Sequence, residues 1–90
     1  PFNQAGEIDK ASFKKLIQQQ VEAGVDGIVV AGTTGESPTL TWEEHDSLIK
    51  LAVEIANKKI KVIAGAGSNC TAEAIEHSIK AEQAGADGLL

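Results

Sequence analysis

Apolar residues recur at helical spacing in three stretches of the chain. In the first stretch, Asp9 suits the N-cap and Gly24 suits the position just after the last turn. The second opens with the capping-box sequence 41–44 and ends near Asn57, and the third runs over 71–83. The apolar positions are Phe13, Leu16, Ile17 and Val21 in the first helix, Leu48, Leu51, Ala52 and Ile55 in the second, and Ile75 and Ile79, predicted to point inward, in the third.

Short apolar runs alternate with these helices. They cover residues 26–31, 60–64 and 88–90. Continuous apolar runs of this length are typical of strands buried on both faces, as in parallel sheets. The alternation of strand and helix therefore predicts an α/β fold with parallel crossovers.

The βα unit also repeats along the chain. Gly32 and Gly65 end their predicted strands 33 residues apart. The segment 22–27 (Glu-Ala-Gly-Val-Asp-Gly) recurs as 83–88 (Gln-Ala-Gly-Ala-Asp-Gly), with two of its six residues changed. A period near 30 residues suits an eight-stranded barrel of about 250 residues, but a doubly wound open sheet has the same local pattern. Periodicity alone leaves both architectures open.

Composition narrows the class of partner. The formal net charge of −5 argues against nucleic acid or an anionic membrane surface as partner. No apolar run approaches the roughly 20 residues of a membrane span. Cys70 is the only cysteine, which excludes an internal disulfide and fits a reducing cytoplasm. The chain opens on Pro1 and closes on Leu90 inside an apolar run, so we expect both ends to be cut from a longer protein.

Two glycine-rich segments follow predicted strands. The first, 32–35, reads Gly-Thr-Thr-Gly, and its hydroxyls and backbone N–H groups suit a carboxylate or phosphate, although an ordinary tight turn uses the same residues. The second, 65–67, lacks the third glycine of a dinucleotide fingerprint because Cys70 stands there, so we reject nucleotide binding. Its glycines fit close packing of neighbouring strand ends, with Asn69 or Thr71 capping the next helix.

For four other side chains the sequence favours a structural role. We predict that His45 and His77 lie on the surface, the common place for polar residues. Trp42 is either a core anchor or an interface residue. Cys70 is predicted to be a small, half-buried residue, because no neighbour in sequence would stabilise its thiolate.

Several motifs together resemble the dihydrodipicolinate synthase (4-hydroxy-tetrahydrodipicolinate synthase) family, and the resemblance runs the length of the chain. They are residues 1–3 (Pro-Phe-Asn), 27–37 (Gly-Ile-Val-Val-Ala-Gly-Thr-Thr-Gly-Glu-Ser), 44–45 (Glu-His), 62–69 (Val-Ile-Ala-Gly-Ala-Gly-Ser-Asn) and 71–75 (Thr-Ala-Glu-Ala-Ile). The resemblance implies that residues 1–90 are part of a (β/α) eight-stranded TIM barrel, from the end of its first strand to the start of its fourth. The double threonine favours the synthases over the N-acetylneuraminate lyases, which usually carry serine then threonine there.

The resemblance also implies a reaction. A lysine of the barrel forms a Schiff base with pyruvate, and the resulting enamine attacks aspartate semialdehyde in the committed step of lysine biosynthesis, without metal or cofactor. Thr33 would supply the hydroxyl of a proton relay, and Thr34 would hold the pyruvate carboxylate, with Gly35 permitting the close approach. A fixed carboxylate orients the ketone, and a hydroxyl relay moves protons during imine formation.

A regulatory site is implied as well. Family members that lysine inhibits bind it at a subunit interface, and relatives are commonly homotetramers, so we expect a homo-oligomer. The residues here that match the inhibitor site are Ser37, the Pro38 carbonyl, His45, Asn69 and Glu73. A carboxylate such as that of Glu73 would pair with an ammonium group. Trp42 stands where many bacterial relatives carry histidine.

Essential groups are missing from the 90 residues. All eight basic residues are lysines on predicted helices or at the start of a strand, and there is no tyrosine. Without an imine-forming lysine at the rim there is no covalent catalysis, so we expect this chain alone to be inactive. Two alternatives stay open: an N-acetylneuraminate lyase or 2-keto-3-deoxy acid aldolase, and an inactive barrel fragment that self-associates as a scaffold.

Overall fold

The computed structural model describes all 90 residues and contains three helices that alternate with three short strands. The elements are α1 (Lys10–Glu22), β1 (Gly27–Val30), a 3₁₀ turn (Ser37–Thr39), α2 (Trp42–Ala56), β2 (Lys61–Ala64), α3 (Thr71–Gln83) and β3 (Gly88–Leu89). Each predicted helix and strand is present, and the bounds of α3 are those predicted.

The helix ends follow the predicted capping chemistry. Asp9 accepts a hydrogen bond from the Ser12 amide (3.0 Å) at the start of α1, and Gly24 follows the last turn with φ of 77°. Thr41 and Glu44 form the reciprocal capping box of α2. Asn57 ends that helix in the left-handed conformation. Both caps and both C-terminal residues were predicted correctly.

The start of α3 differs from the prediction. Neither Asn69 nor Thr71 caps the helix; Cys70 is the N-cap residue, and its side chain makes no capping bond. The Ser68 hydroxyl accepts from the Cys70 amide instead (3.1 Å). Cys70 itself is exposed, so its predicted half-burial is wrong, because a residue before the first turn has no helix packed over it.

The strands form one parallel sheet in the order β1-β2-β3. Residues 27–30 pair with 61–64 in register, and Ile63 pairs with Gly88. Beyond the strands, the Leu90 carbonyl accepts hydrogen bonds from the amides of Ala66 and Gly67. The fold-class prediction of parallel βα units is confirmed, and the carboxyl ends of all three strands lie at one edge.

One face of the sheet packs against the helices, with α2 at the centre. Ile49 of α2 is 1% exposed, and Ala52 and Ala56 extend its buried stripe. The ten residues of the core cluster come from all three helices, from β1 and β2, and from the residue just before β2: Ile17, Val30, Leu48, Ile49, Ala52, Ala56, Ile60, Val62, Ala64 and Ala81. This packing fixes the strand ends relative to α2 and α3.

The opposite face of the sheet is bare. Val29 is 52% exposed and Leu90 is 69% exposed, so the prediction that the strands are buried on both faces is wrong for these 90 residues. The inward direction predicted for Ile75 and Ile79 is also wrong, because α3 turns His77 and Ala81 toward α2 instead. The helices supply cover for one face only.

None of the three helices combines the length and the apolar character that crossing a membrane requires.

Candidate functional site

The turn after β1 presents the two threonines at the edge where the strands end. Thr33, Thr34 and Gly35 are all exposed. The backbone bonds of the turn use the amides of Glu36 and Ser37, which donate to the carbonyls of Thr33 (3.0 Å) and Gly32 (3.4 Å). The amides of Thr34 and Gly35 therefore stay free, beside two free hydroxyls.

The turn is held by a close contact between neighbouring strand ends. Ala31 has a φ of 55°, a strained conformation for a residue with a Cβ. Its carbonyl oxygen lies so close to Gly65 that a Cβ at Gly65 would overlap it. The predicted role of this glycine, close packing of strand ends, is confirmed. Ala31 and Gly65 together fix where Gly32 begins the turn.

Chemically, the turn can hold an anion but cannot form an imine. Free amides and hydroxyls that converge at a strand end make a site for a carboxylate, and bonds to a charged acceptor are short and strong. All eight lysines are exposed on helices, in the turn before β2 or at the first residue of β2. Lys10, at the start of α1, lines a separate cleft with Glu43 and Glu44, and no lysine lines the clefts that contain Gly35 or Ser37. Any Schiff-base lysine must come from outside these residues.

A polar cleft of about 400 Å³ lies next to the turn, between the 3₁₀ turn, α2 and the loop after β2. It is lined by Ser37, Pro38, Leu40, Trp42, His45, Gly67, Ser68, Asn69 and Glu73. All five residues that the resemblance assigned to an inhibitor site are thus brought to one cleft. Its acidic group is oriented, because the Ser68 hydroxyl donates to Glu73 Oε2 (2.8 Å).

His45, which lines the cleft, and His77, which does not, are both buried, at 3% and 4% exposure, so their predicted surface position is wrong. His45 lies four residues before Ile49 on the buried stripe of α2, and His77 lies four before Ala81 on that of α3. Helical periodicity places both on core faces. That periodicity was the signal in the sequence that could have found them, and polarity alone concealed it.

An aromatic and charged cluster joins α2 to α3 at this point. Trp42 stacks on His77 with ring centroids 3.5 Å apart and planes 10° from parallel. Asp46 Oδ1 lies 3.4 Å from His77 Nδ1 and 3.6 Å from His45 Nδ1, and the buried His45 Nδ1 has no hydrogen-bond partner. Sequence reasoning missed both the stack and Asp46, since the pairing spans 31 residues.

Lys80 closes the charged end of the cluster. Its ammonium lies 3.2 Å from Glu76 Oε1 and 3.5 Å from Asp46 Oδ2. The hydrogen bond to Glu76, with the charges of Glu76 and Asp46 adding to it, raises the pKa of Lys80 above its ordinary value of 10.5. Asp46 is therefore shared by a histidine pair and a cation.

Comparison with known proteins places the chain. The model of the Dihydrodipicolinate synthetase family matches residues 1–90. The chain belongs to this family. A 4-hydroxy-tetrahydrodipicolinate synthase from Persephonella marina is 60% identical over all 90 residues, which span 30% of that relative. The family's dihydrodipicolinate synthase from Aquifex aeolicus has a solved structure that superposes with a TM-score of 0.95 at 50% identity, over 99% of this chain and 30% of that one.

Two further structures of the family carry small molecules. The dihydrodipicolinate synthase from Acinetobacter baumannii, complexed with pyruvate, has a TM-score of 0.95 at 45% identity and is matched over 31% of its length. The enzyme from Cyanidioschyzon merolae, with lysine bound, has a TM-score of 0.92 at 47% identity and is matched over 30%. Each of these two matches includes 99% of this chain. It spans about 30% of the length of its relatives.

Proposed function

We propose that this chain is the segment of a 4-hydroxy-tetrahydrodipicolinate synthase that grips pyruvate. The observation that carries the proposal is the open Thr33-Thr34 turn at the carboxyl ends of parallel strands, the edge on which barrel enzymes place their active sites. The segment 1–90 runs from the end of the first barrel strand to the start of the fourth. The bare sheet face around Val29 supports this, since later strands would close over it.

In this proposal the turn binds and orients, and the rest of the barrel supplies the covalent step. The hydroxyl and amide of Thr34 and the amide of Gly35 hold the pyruvate carboxylate, so that the ketone faces a lysine from a later strand. The amine adds to the ketone and water leaves, giving the imine. Thr33 passes protons during that exchange. The imine then loses a proton from the pyruvate methyl group to become the enamine, and the enamine carbon attacks the aldehyde of aspartate semialdehyde.

The test of this role uses the complete enzyme and the Thr34→Val variant. Valine keeps the shape and removes one bond to a charged acceptor, worth about 1.5–3 kcal/mol, so the KM for pyruvate should rise roughly ten- to hundredfold. Thr39→Val is the matched control, because Thr39 donates only to the Glu36 carbonyl. An unchanged KM in Thr34→Val would refute the carboxylate grip.

Two further assays separate the reaction class from its alternatives. The complete enzyme should consume pyruvate with aspartate semialdehyde and leave sialic acid uncleaved. Borohydride should trap a pyruvate adduct on the complete enzyme but not on the 90-residue chain, which we propose is inactive alone. A trapped adduct on the 90 residues would contradict the assignment of the lysine to a later strand.

We propose that the cleft beside the turn binds lysine as a feedback inhibitor. Glu73 would pair with an ammonium group, while Asn69, His45, Ser37 and the Pro38 carbonyl meet the ligand's other polar groups. Glu73→Gln should abolish inhibition by lysine. Glu76→Gln, one turn later on α3 and outside the cleft, should leave inhibition unchanged.

The same proposal covers assembly and location. We propose a cytoplasmic homo-oligomer, most simply a homotetramer, because the family resemblance implies an inhibitor cleft at a subunit interface. Sedimentation of the complete enzyme measures this directly. A monomer that lysine still inhibits would contradict the link between cleft and interface.

A further inference from the structure

We infer that His77 is a positioning residue of the cleft: stacked on Trp42 from behind, it fixes the indole as the cleft wall and so sets how tightly the cleft holds its ligand. Trp42 and His45 line the cleft, whereas His77 does not. The imidazole of His77 reaches the indole from α3, while Trp42 and His45 both lie on α2. Lysine as the ligand rests on the proposed function; the stack does not.

The geometry leaves the indole little freedom. One face of Trp42 is covered by the His77 ring at 3.5 Å, and the His45 ring meets it edge-on, with centroids 4.8 Å apart. An aromatic ring that meets one buried imidazole on its face and a second one at its edge is restricted to one orientation. Trp42 is also the first residue of α2, where the chain enters from the 3₁₀ turn, so no earlier helical turn restrains it.

His77 is itself held in place by Asp46 as well as by its stack with Trp42. Its Nδ1 lies 3.4 Å from Asp46 Oδ1, and Asp46 in turn meets the Lys80 ammonium, which also binds Glu76. The charged and titratable groups around His77 are thus His45 and Asp46 from α2, with Lys80 and Glu76 from its own helix. Asp46 aligns the imidazole plane, and the imidazole aligns the indole.

Two variants of similar volume separate the stack from simple filling of space. In the complete enzyme, His77→Phe keeps a ring against the indole, and His77→Leu fills the site without one. Glu76→Gln is the control, since it loosens Lys80 without touching the stack. The readouts are lysine affinity by calorimetry, kcat and KM without lysine, and the Trp42 emission obtained by difference against Trp42→Phe.

We expect His77→Leu to bind lysine about three- to tenfold more weakly, the range an aromatic pair contributes. Its Trp42 emission should shift to the red, because the indole moves toward water. His77→Phe should stay within twofold of the parent with unshifted emission, and Glu76→Gln should match the parent. Turnover without lysine should be the same in all variants, which a general structural role would not allow.

Other outcomes are decisive as well. Equal behaviour of His77→Leu and His77→Phe, in affinity and emission, would overturn the inference. If the parent enzyme turns over substrate but binds no lysine, the inhibitor assignment fails and the Trp42 emission alone decides. A red shift in His77→Leu that His77→Phe lacks supports the positioning role. Absence of that shift overturns the positioning role. If the parent enzyme does not turn over pyruvate with aspartate semialdehyde, that result would instead count against the proposed function.

Discussion

Substituting Gly65 by alanine tests how the strand ends position the threonine turn. A Cβ at this position would overlap the Ala31 carbonyl oxygen, with the Ala31 carbonyl carbon at 2.7 Å and the Gly32 amide nitrogen at 3.0 Å. All three are backbone atoms, so no side-chain rotation can relieve the clash. The ends of β1 and β2 must therefore move apart.

The size of the effect follows from the contacts. A carbon at 2.7 Å is about 0.7 Å inside ordinary van der Waals contact. Overpacking of this kind costs about 1–3 kcal/mol of stability. The displaced atoms immediately precede the turn, and a misplacement near 1 Å in a positioned site can cost about 10²-fold in rate. We expect Gly65→Ala to lose about 1–3 kcal/mol of stability. If the turn grips pyruvate as proposed, kcat/KM for pyruvate should also fall about 10²-fold.

Gly67→Ala is the matched control, two residues along the same loop. The nearest atom to its added Cβ is the Leu90 carbonyl oxygen at 3.8 Å, an ordinary contact. Both variants of the complete enzyme are compared by denaturant unfolding and by pyruvate kinetics. If Gly65→Ala and Gly67→Ala unfold at the same midpoint with the same kcat/KM, close packing of the strand ends does not hold the turn.

Three further predictions concern the stability of the complete protein. Thr41→Ala removes one half of the capping box and should cost about 1 kcal/mol in denaturant unfolding, whereas Thr39→Ala should cost less than half of that. Ile49→Ala should cost about 2–5 kcal/mol, because the side chain is 1% exposed at the centre of the core; a loss below 1 kcal/mol would contradict the assigned packing. The side-chain hydrogen bond from Ser12, and then its amide, lower the pKa of Asp9 below 3.8. Asp9 therefore adds stability above its unfolded pKa, and that stability is lost as pH falls through the folded pKa. Asp9→Asn, which still caps the helix, should lose less stability than the parent as pH drops below about 5. Curves of unfolding free energy against pH that run parallel for the two proteins would refute this.

Local chemistry made the elements predictable from sequence. The capping box at Thr41, the glycine after α1 and the apolar runs each act within a few residues, and the structure reproduces their boundaries to within one or two residues. The Gly-Thr-Thr-Gly turn was also found, because its place after a strand follows from the alternation of elements. These features do not depend on what the rest of the chain does.

What sequence did not reveal depends on long-range packing. Ile75 looks like a core residue, but in this chain its side of α3 has no neighbour, whereas the polar His77 is buried against α2. The pairing of Trp42 with His77 needs two neighbouring helices whose relative rotation is fixed by the sheet on which both pack. Polarity of one residue cannot predict such a contact.

The bare sheet face has a consequence for biosynthesis. Ribosomes add about 5–20 residues per second, so a barrel that contains such a segment leaves Val29 and Leu90 exposed for seconds until further strands are made. Uncovered apolar surface of this kind promotes aggregation of nascent chains. A chaperone that holds β1, β2 and β3 until further strands emerge would raise the yield of native protein.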